Sequence, residues 1–176
     1  MRFTVTPDWR DNRLLKLVLA WFLGYVALFW VTNALLYFTK MGLTPASVVA
    51  YYRGDEARFL QPRSWEGMLE IAHFHLFAMG ILVLTMTHLL LFVPLSTRAK
   101  GWIVSLSFAS AVGDEAAGWL TRFVAPAFAY LKIASFLVLQ ATLAFMVVAV
   151  AWALVTAQPN AYRDDVEDED DDDEDV

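Results

Sequence analysis

Residues 14–38 form one apolar run broken only by Lys16, and no other feature limits the fold of this chain so strongly. An α-helix needs about 20 such residues to cross the ~30 Å hydrocarbon core of a bilayer. Three more long runs follow, over 68–93, 101–124 and 129–156. Of the 176 residues, 59% are hydrophobic, whereas a soluble domain carries about 45–50%. A chain this short cannot hide that excess in one globule, because much of its surface stays exposed. Lipid is the solvent that suits it. The expected fold is all-α, an integral membrane four-helix bundle over 14–157, with an N-terminal segment 1–13 and a tail 158–176. The first run is too long for the core of a signal peptide, and no small-residue cleavage site follows it, so it reads as a retained helix.

The connectors carry their own signals. Thr44-Pro45 reads as an N-cap followed by a first helical position, and Gly54 as a stop, which predicts a short helix over 46–53. Tyr51, Tyr52, Phe59 and Trp65 suit a segment lying in the headgroup zone, where aromatic residues collect. Ser64 is a predicted N-cap for the second crossing, with Glu66 and Glu70 near the positive end of its dipole. Pro94 marks that helix's exit. The connector 95–100 is so short that the third helix must return antiparallel beside the second.

The net charge of −6 is concentrated at one end. Residues 164–175 hold eleven of the 19 acids, with only Val166 interrupting them. So low-complexity a run has nothing apolar to bury and is expected to be disordered. It is suited to a basic soluble partner. Without it, 13 basic residues face eight acidic ones, a balance that fits loops lying against anionic headgroups. Seven cations (Arg2, Arg10, Arg13, Lys16, Arg98, Lys100 and Arg163) gather on one side, several of them in short segments. Six (Lys40, Arg53, Arg58, Arg63, Arg122 and Lys132) gather on the other. The positive-inside rule weights short loops, so both termini are expected in the cytoplasm, in a cell membrane of the bacterial inner-membrane kind.

Several chemistries are excluded. With no cysteine, the chain has no disulfide, thiolate metal site or Cys nucleophile. It has no Gly-rich phosphate loop, GxSxG elbow or HExxH, and no basic surface suited to nucleic acid.

What remains are polar residues inside apolar helices. Each charged one costs at least about 2.5–3.5 kcal/mol at the bilayer centre, which makes it a candidate functional residue. The second helix carries Glu70, His73, His75 and His88, including all three histidines of the chain. His73 and His88 lie about 60° apart on one face and roughly 22 Å apart along the axis. His75 points nearly opposite His73. Two histidines so placed, with Gly80 between them, resemble the axial-ligand pattern of transmembrane b-type cytochromes. That resemblance covers some twenty residues. It implies haem b held by His73 and His88, with His75 as a substitute. The chain has no second His-bearing helix, so the remaining ligands require a homodimer, a partner subunit, or Met79 or Met86. The plainer alternative is that these histidines hydrogen-bond to neighbouring helices or sit at the interface. A third reading takes Glu70-x-x-His73 as one unit of a carboxylate-bridged metal site, drawing on His88 and the acids of the third helix.

Asp114-Glu115 is the strongest anomaly. Gly113, Ala116, Ala117 and Gly118 around it permit close helix approach. Adjacent helical residues point about 100° apart, so the two acids must face different neighbours. One reading makes them a proton relay or quinone partners. The other makes them interhelical hydrogen-bond acceptors for Asn33, Gln140 or Thr85. Folding the hairpin about 97–98 puts Asp114 opposite Ile81 and Glu115 opposite Gly80, about 10 Å deeper than His73. It puts Arg122 level with His73, in reach of Glu70 or a haem propionate, though a snorkelling interfacial arginine is as good a reading.

These readings converge on a membrane subunit of a redox complex, binding haem b or a quinone and passing electrons across the membrane. Its partners are the lipid bilayer, a second copy or other redox subunits. The alternatives are a non-catalytic scaffold or assembly subunit, and a proton-conducting subunit centred on Asp114 and Glu115.

Overall fold

The computed structural model describes residues 13–156, so the N-terminal segment and the acidic tail, with the partner expected for it, lie outside the described residues. The described chain is helical almost throughout. The helices are α1 (Arg13–Lys40), α2 (Pro45–Arg53), α3 (Trp65–Leu90), α4 (Thr97–Phe123) and α5 (Ala129–Thr156), with 3₁₀ turns at Glu56–Arg58 and Pro126–Phe128.

The ends follow local chemistry. Thr44, Ser64 and Ser96 are the N-caps of α2, α3 and α4, each side chain accepting a hydrogen bond from an otherwise orphaned amide. Gly54 terminates α2, and Pro126 prevents α4 from running into α5.

α1, α3 and the segment Pro126–Thr156 are long and apolar enough to cross a membrane. The expected fourth crossing is not among them. α4 has the length, but its serines and the Asp114-Glu115 pair make it the least apolar of the four long helices.

α5 is the hub. It packs most extensively on α4 and also touches α1, α2 and α3. α1 is peripheral, burying only Leu23, Val26 and Tyr37. Two apolar clusters form the core. One centres on Val83, Met86, Leu143 and Met146. The other joins Tyr37, Met41, Val48, Tyr52, Met68, Ala129 and Phe136. Along their helices, Asn33, His75 and Asp114-Glu115 fall between residues of the first cluster and residues of the second.

α2 closes the second cluster from above. Tyr52 seats its ring on Gly118 of α4, where a Cβ would meet the phenol oxygen at 2.7 Å. Arg53 Nε donates to the Thr121 carbonyl at 2.7 Å, satisfying an acceptor in the last turn of α4. Burial, the largest influence, pushes the Tyr52 phenol up to about 12, against an opposing pull from the Lys132 ammonium.

The α3–α4 hairpin corrects the expected register. α3 ends at Leu90 and α4 begins at Thr97, so the pivot lies near Val93-Pro94 and not at 97–98. Glu115 therefore comes level with the turn containing His75, well short of Gly80. Arg122 moves down with it, away from His73. Its Nε donates to the Arg63 carbonyl at 2.9 Å, and Trp65 packs edge-on to Trp119 at the same end.

Candidate functional site

Asp114 and Glu115 diverge around α4, as their angular separation requires. Asp114 turns to α5, where Lys132 Nζ lies 2.8 Å from Oδ2 and also donates to the Asp114 carbonyl at 3.0 Å. Lys132 is only 6% exposed. Glu115 turns to α3, where its Oε2 lies 3.4 Å from His75 Nδ1. The expected partners Asn33, Gln140 and Thr85 take neither role. Thr85 bonds back to the Ile81 carbonyl. The buried Gln140 side chain has no hydrogen-bond partner among the described residues. Asn33 lines the same cavity as the two acids.

Lys132 is the residue that sequence reasoning missed. At the start of the fourth helix, it counted only among the cations gathered on one side of the membrane. The α4–α5 hairpin instead folds it back against Asp114. The signal was available: a lone cation in an apolar helix start, one antiparallel hairpin away from two unpaired acids.

These side chains enclose a cavity of about 230 Å³. Its polar wall carries Lys40, Arg63, His75, Asp114, Glu115 and Lys132, and its aromatic wall Tyr37, Tyr51, Tyr52 and Phe136. Tyr37 and Phe136 stack at 3.7 Å between centroids and 11° between planes. A smaller cavity of about 70 Å³ shares Asn33, His75, Asp114 and Glu115 and continues past Met79, Gly80, Phe108 and Leu139. Two polar atoms on the walls of the larger cavity have no hydrogen-bond partner among the described residues, the Tyr37 hydroxyl and Asp114 Oδ1. Tyr37 is 7% exposed. A buried donor left without a partner costs about 1–3 kcal/mol, so this cavity is organised for something polar.

The other sequence candidates lie elsewhere. Glu70, His73 and His88 are on the exposed surface of α3, His73 edge-on to Phe74 and His88 edge-on to Phe92. Among the described residues no three His, Asp or Glu side chains gather as a metal ion would require. The described structure therefore does not bring Glu70, His73 and His88 together.

A family model of a transmembrane helical domain matches residues 42–161, which is more than half of the chain and takes in α2 to α5. Neither a curated protein nor a solved structure matches it significantly.

Proposed function

We propose, from the premise that this chain belongs to the Aq_1264_TM family of transmembrane helical domains, that it is the membrane subunit of a redox complex whose cavity receives the head of a quinone. The observation that carries this reading is the convergence of the Glu115–His75 pair and the unpartnered Tyr37 hydroxyl on one aromatic-walled cavity. A quinone ring is planar and suits aromatic walls. Its carbonyls accept hydrogen bonds, which the Tyr37 hydroxyl and the His75 ring can donate. Reduction takes up two electrons and two protons. The electrons come from a partner subunit, and the His75–Glu115 pair passes the protons.

Size favours the quinone over haem in this cavity. At about 230 Å³ the cavity falls below the roughly 300–1,000 Å³ of pockets for drug-sized ligands, so a porphyrin does not fit within it, while a single ring does. The apolar slot past Met79 and Phe108 gives the start of an isoprenoid tail its exit. Haem remains a second reading on one observation only. His73 and His88 are both exposed on α3 and so are available to a second copy or a partner helix.

In this proposal α4 crosses the membrane as a fourth helix. Two acids on it each cost about 2.5–3.5 kcal/mol near mid-bilayer when alone, and Lys132 and His75 offset that cost. Four crossings put both termini on one side. With Lys132 in the bundle, the cations opposing a cytoplasmic placement of the termini fall from six to five. The test is to purify the full chain from its native membrane with its complex. Chromatography of the extracted lipid should show quinone bound in stoichiometric amount, depleted in a Glu115→Gln variant. A quinone-free complex would overturn the proposal. A reduced haem spectrum lost in His73→Ala and His88→Ala would favour the second reading.

A further inference from the structure

A second cavity opens beside the first, at the junction of α1, α2 and the 54–63 loop. It holds about 480 Å³. Lys40, Arg58 and Arg63 line it and no acid does. Gln61 and Tyr51 add neutral hydrogen-bonding groups.

The cations are presented by a tightly built loop. Asp55 and Leu60 exchange backbone hydrogen bonds of 3.0 and 2.9 Å across its neck. Gly54 turns there at φ +85°, where a Cβ would lie 2.6 Å from the Leu60 carbonyl oxygen. Phe59 adopts the left-handed φ of 55° that lets the loop close. Arg63 is fixed at both ends of its peptide unit. Its amide donates to the Tyr52 carbonyl at 3.0 Å, and its carbonyl accepts from Arg122. Its guanidinium lies over the Tyr51 ring at 4.1 Å. Arg58 rests 3.4 Å from Asp55 with its side chain largely in the open. Among the described residues, neither Lys40 nor Arg63 forms an ion pair.

We infer that this groove binds a phosphate group. Three cations around one concavity, offset by a single neighbouring acid, have an unmet demand for an anion. Guanidinium forks match phosphate oxygens in pairs, and an ammonium adds a point charge. Lys40 ends a membrane-length helix, which sets the groove at headgroup depth. The phosphate comes either from an anionic phospholipid or from a soluble phosphate compound.

The experiment uses the full chain in nanodiscs and the charge-reversal variant Arg58→Glu. Arg58 is exposed and does not line the quinone cavity, so quinone binding should be unchanged and the two proposals fail separately. Native mass spectrometry after release from equal phosphatidylglycerol and phosphatidylcholine measures lipid retention. Titration with inorganic phosphate, followed by tyrosine and tryptophan fluorescence, measures the soluble arm. Retained phosphatidylglycerol that drops about tenfold in the variant (~1.4 kcal/mol) supports the lipid source. Phosphate binding with the same drop and no lipid preference supports the soluble source. No binding in either arm, or binding that the variant leaves intact, overturns the inference. If Arg58→Glu does not insert, Arg58→Gln gives the same reading, because the ion pair Arg58 forms is with Asp55 of its own loop.

Discussion

Asp114 and Glu115 are neighbours in sequence and are held in opposite ways. The Asp114–Lys132 contact is short, at 2.8 Å, with side chains 18% and 8% exposed. The Glu115–His75 contact is longer, at 3.4 Å, and the imidazole is 50% exposed. The first pair fastens α4 to α5, the most extensive helix contact in the described bundle. The second leaves the imidazole half in the open. One step of about 100° around the helix thus separates a closed charge pair from a more open one. What differs between them is the neighbour each acid faces, since their own chemistry is alike.

The largest expected effect comes from breaking the closed pair. Lys132→Met leaves the Asp114 carboxylate buried and unpaired, and should cost about 3–5 kcal/mol, read as a large fall in thermal unfolding temperature in detergent. The double variant Lys132→Met/Asp114→Leu should recover most of that loss, because a well-packed apolar pair can replace a buried ion pair. A Lys132→Met protein of unchanged stability would make the two pairs equivalent and remove the contrast.

Gly118→Ala comes next. The added methyl would press on the Tyr52 phenol at 2.7 Å, and overpacking of this kind costs about 1–3 kcal/mol. Tyr52 also lines the cavity, so quinone binding should weaken along with stability. Loss of stability with binding intact would show that the α2 lid does not shape the ligand site.

Glu115→Gln is expected to change stability by less than about 1 kcal/mol, as for a partly exposed ion pair. Circular dichroism melts of the wild type and variant should therefore nearly coincide.

The smallest effect is a pH dependence. The Tyr52 phenol has its ordinary value of 10.0 raised to about 12 by burial. A raised value means that the fold holds the proton more tightly than the unfolded chain does. The stability this phenol contributes is complete below about pH 10 and is lost as pH passes 12. Phenolate absorbance should show late titration near pH 12, and Tyr52→Phe should reduce its amplitude by one tyrosine. Late absorbance of unchanged amplitude in Tyr52→Phe would assign the step to another tyrosine.

Much of the fold was legible because hydrophobic length and capping are local signals. Thr44, Ser64 and Gly54 marked helix ends from their own chemistry. Asp114-Glu115 announced itself as charge in an apolar setting. What was not legible depended on where a hairpin pivots. Placing the pivot at 97–98 instead of near Val93-Pro94 displaced Glu115 by more than a helical turn, and so hid its meeting with His75. Lys132 was hidden for a related reason. A cation near a helix start reads as interfacial until the antiparallel partner supplies an acid at its level. His73 and His88 drew attention by spacing, yet spacing along one helix does not say whether a face looks inward.

The most direct test of the contrast is the titration of a soluble short-tail quinone into the full chain in nanodiscs, followed by tryptophan quenching from pH 5 to 9. Wild type, Glu115→Gln and His75→Phe are compared. The expected result is saturable binding that depends on pH in the wild type. It should weaken about tenfold or more in both variants (~1.4 kcal/mol or more) and lose its pH dependence, with melting temperatures nearly unchanged. Binding of equal strength and equal pH profile in all three proteins would contradict the account.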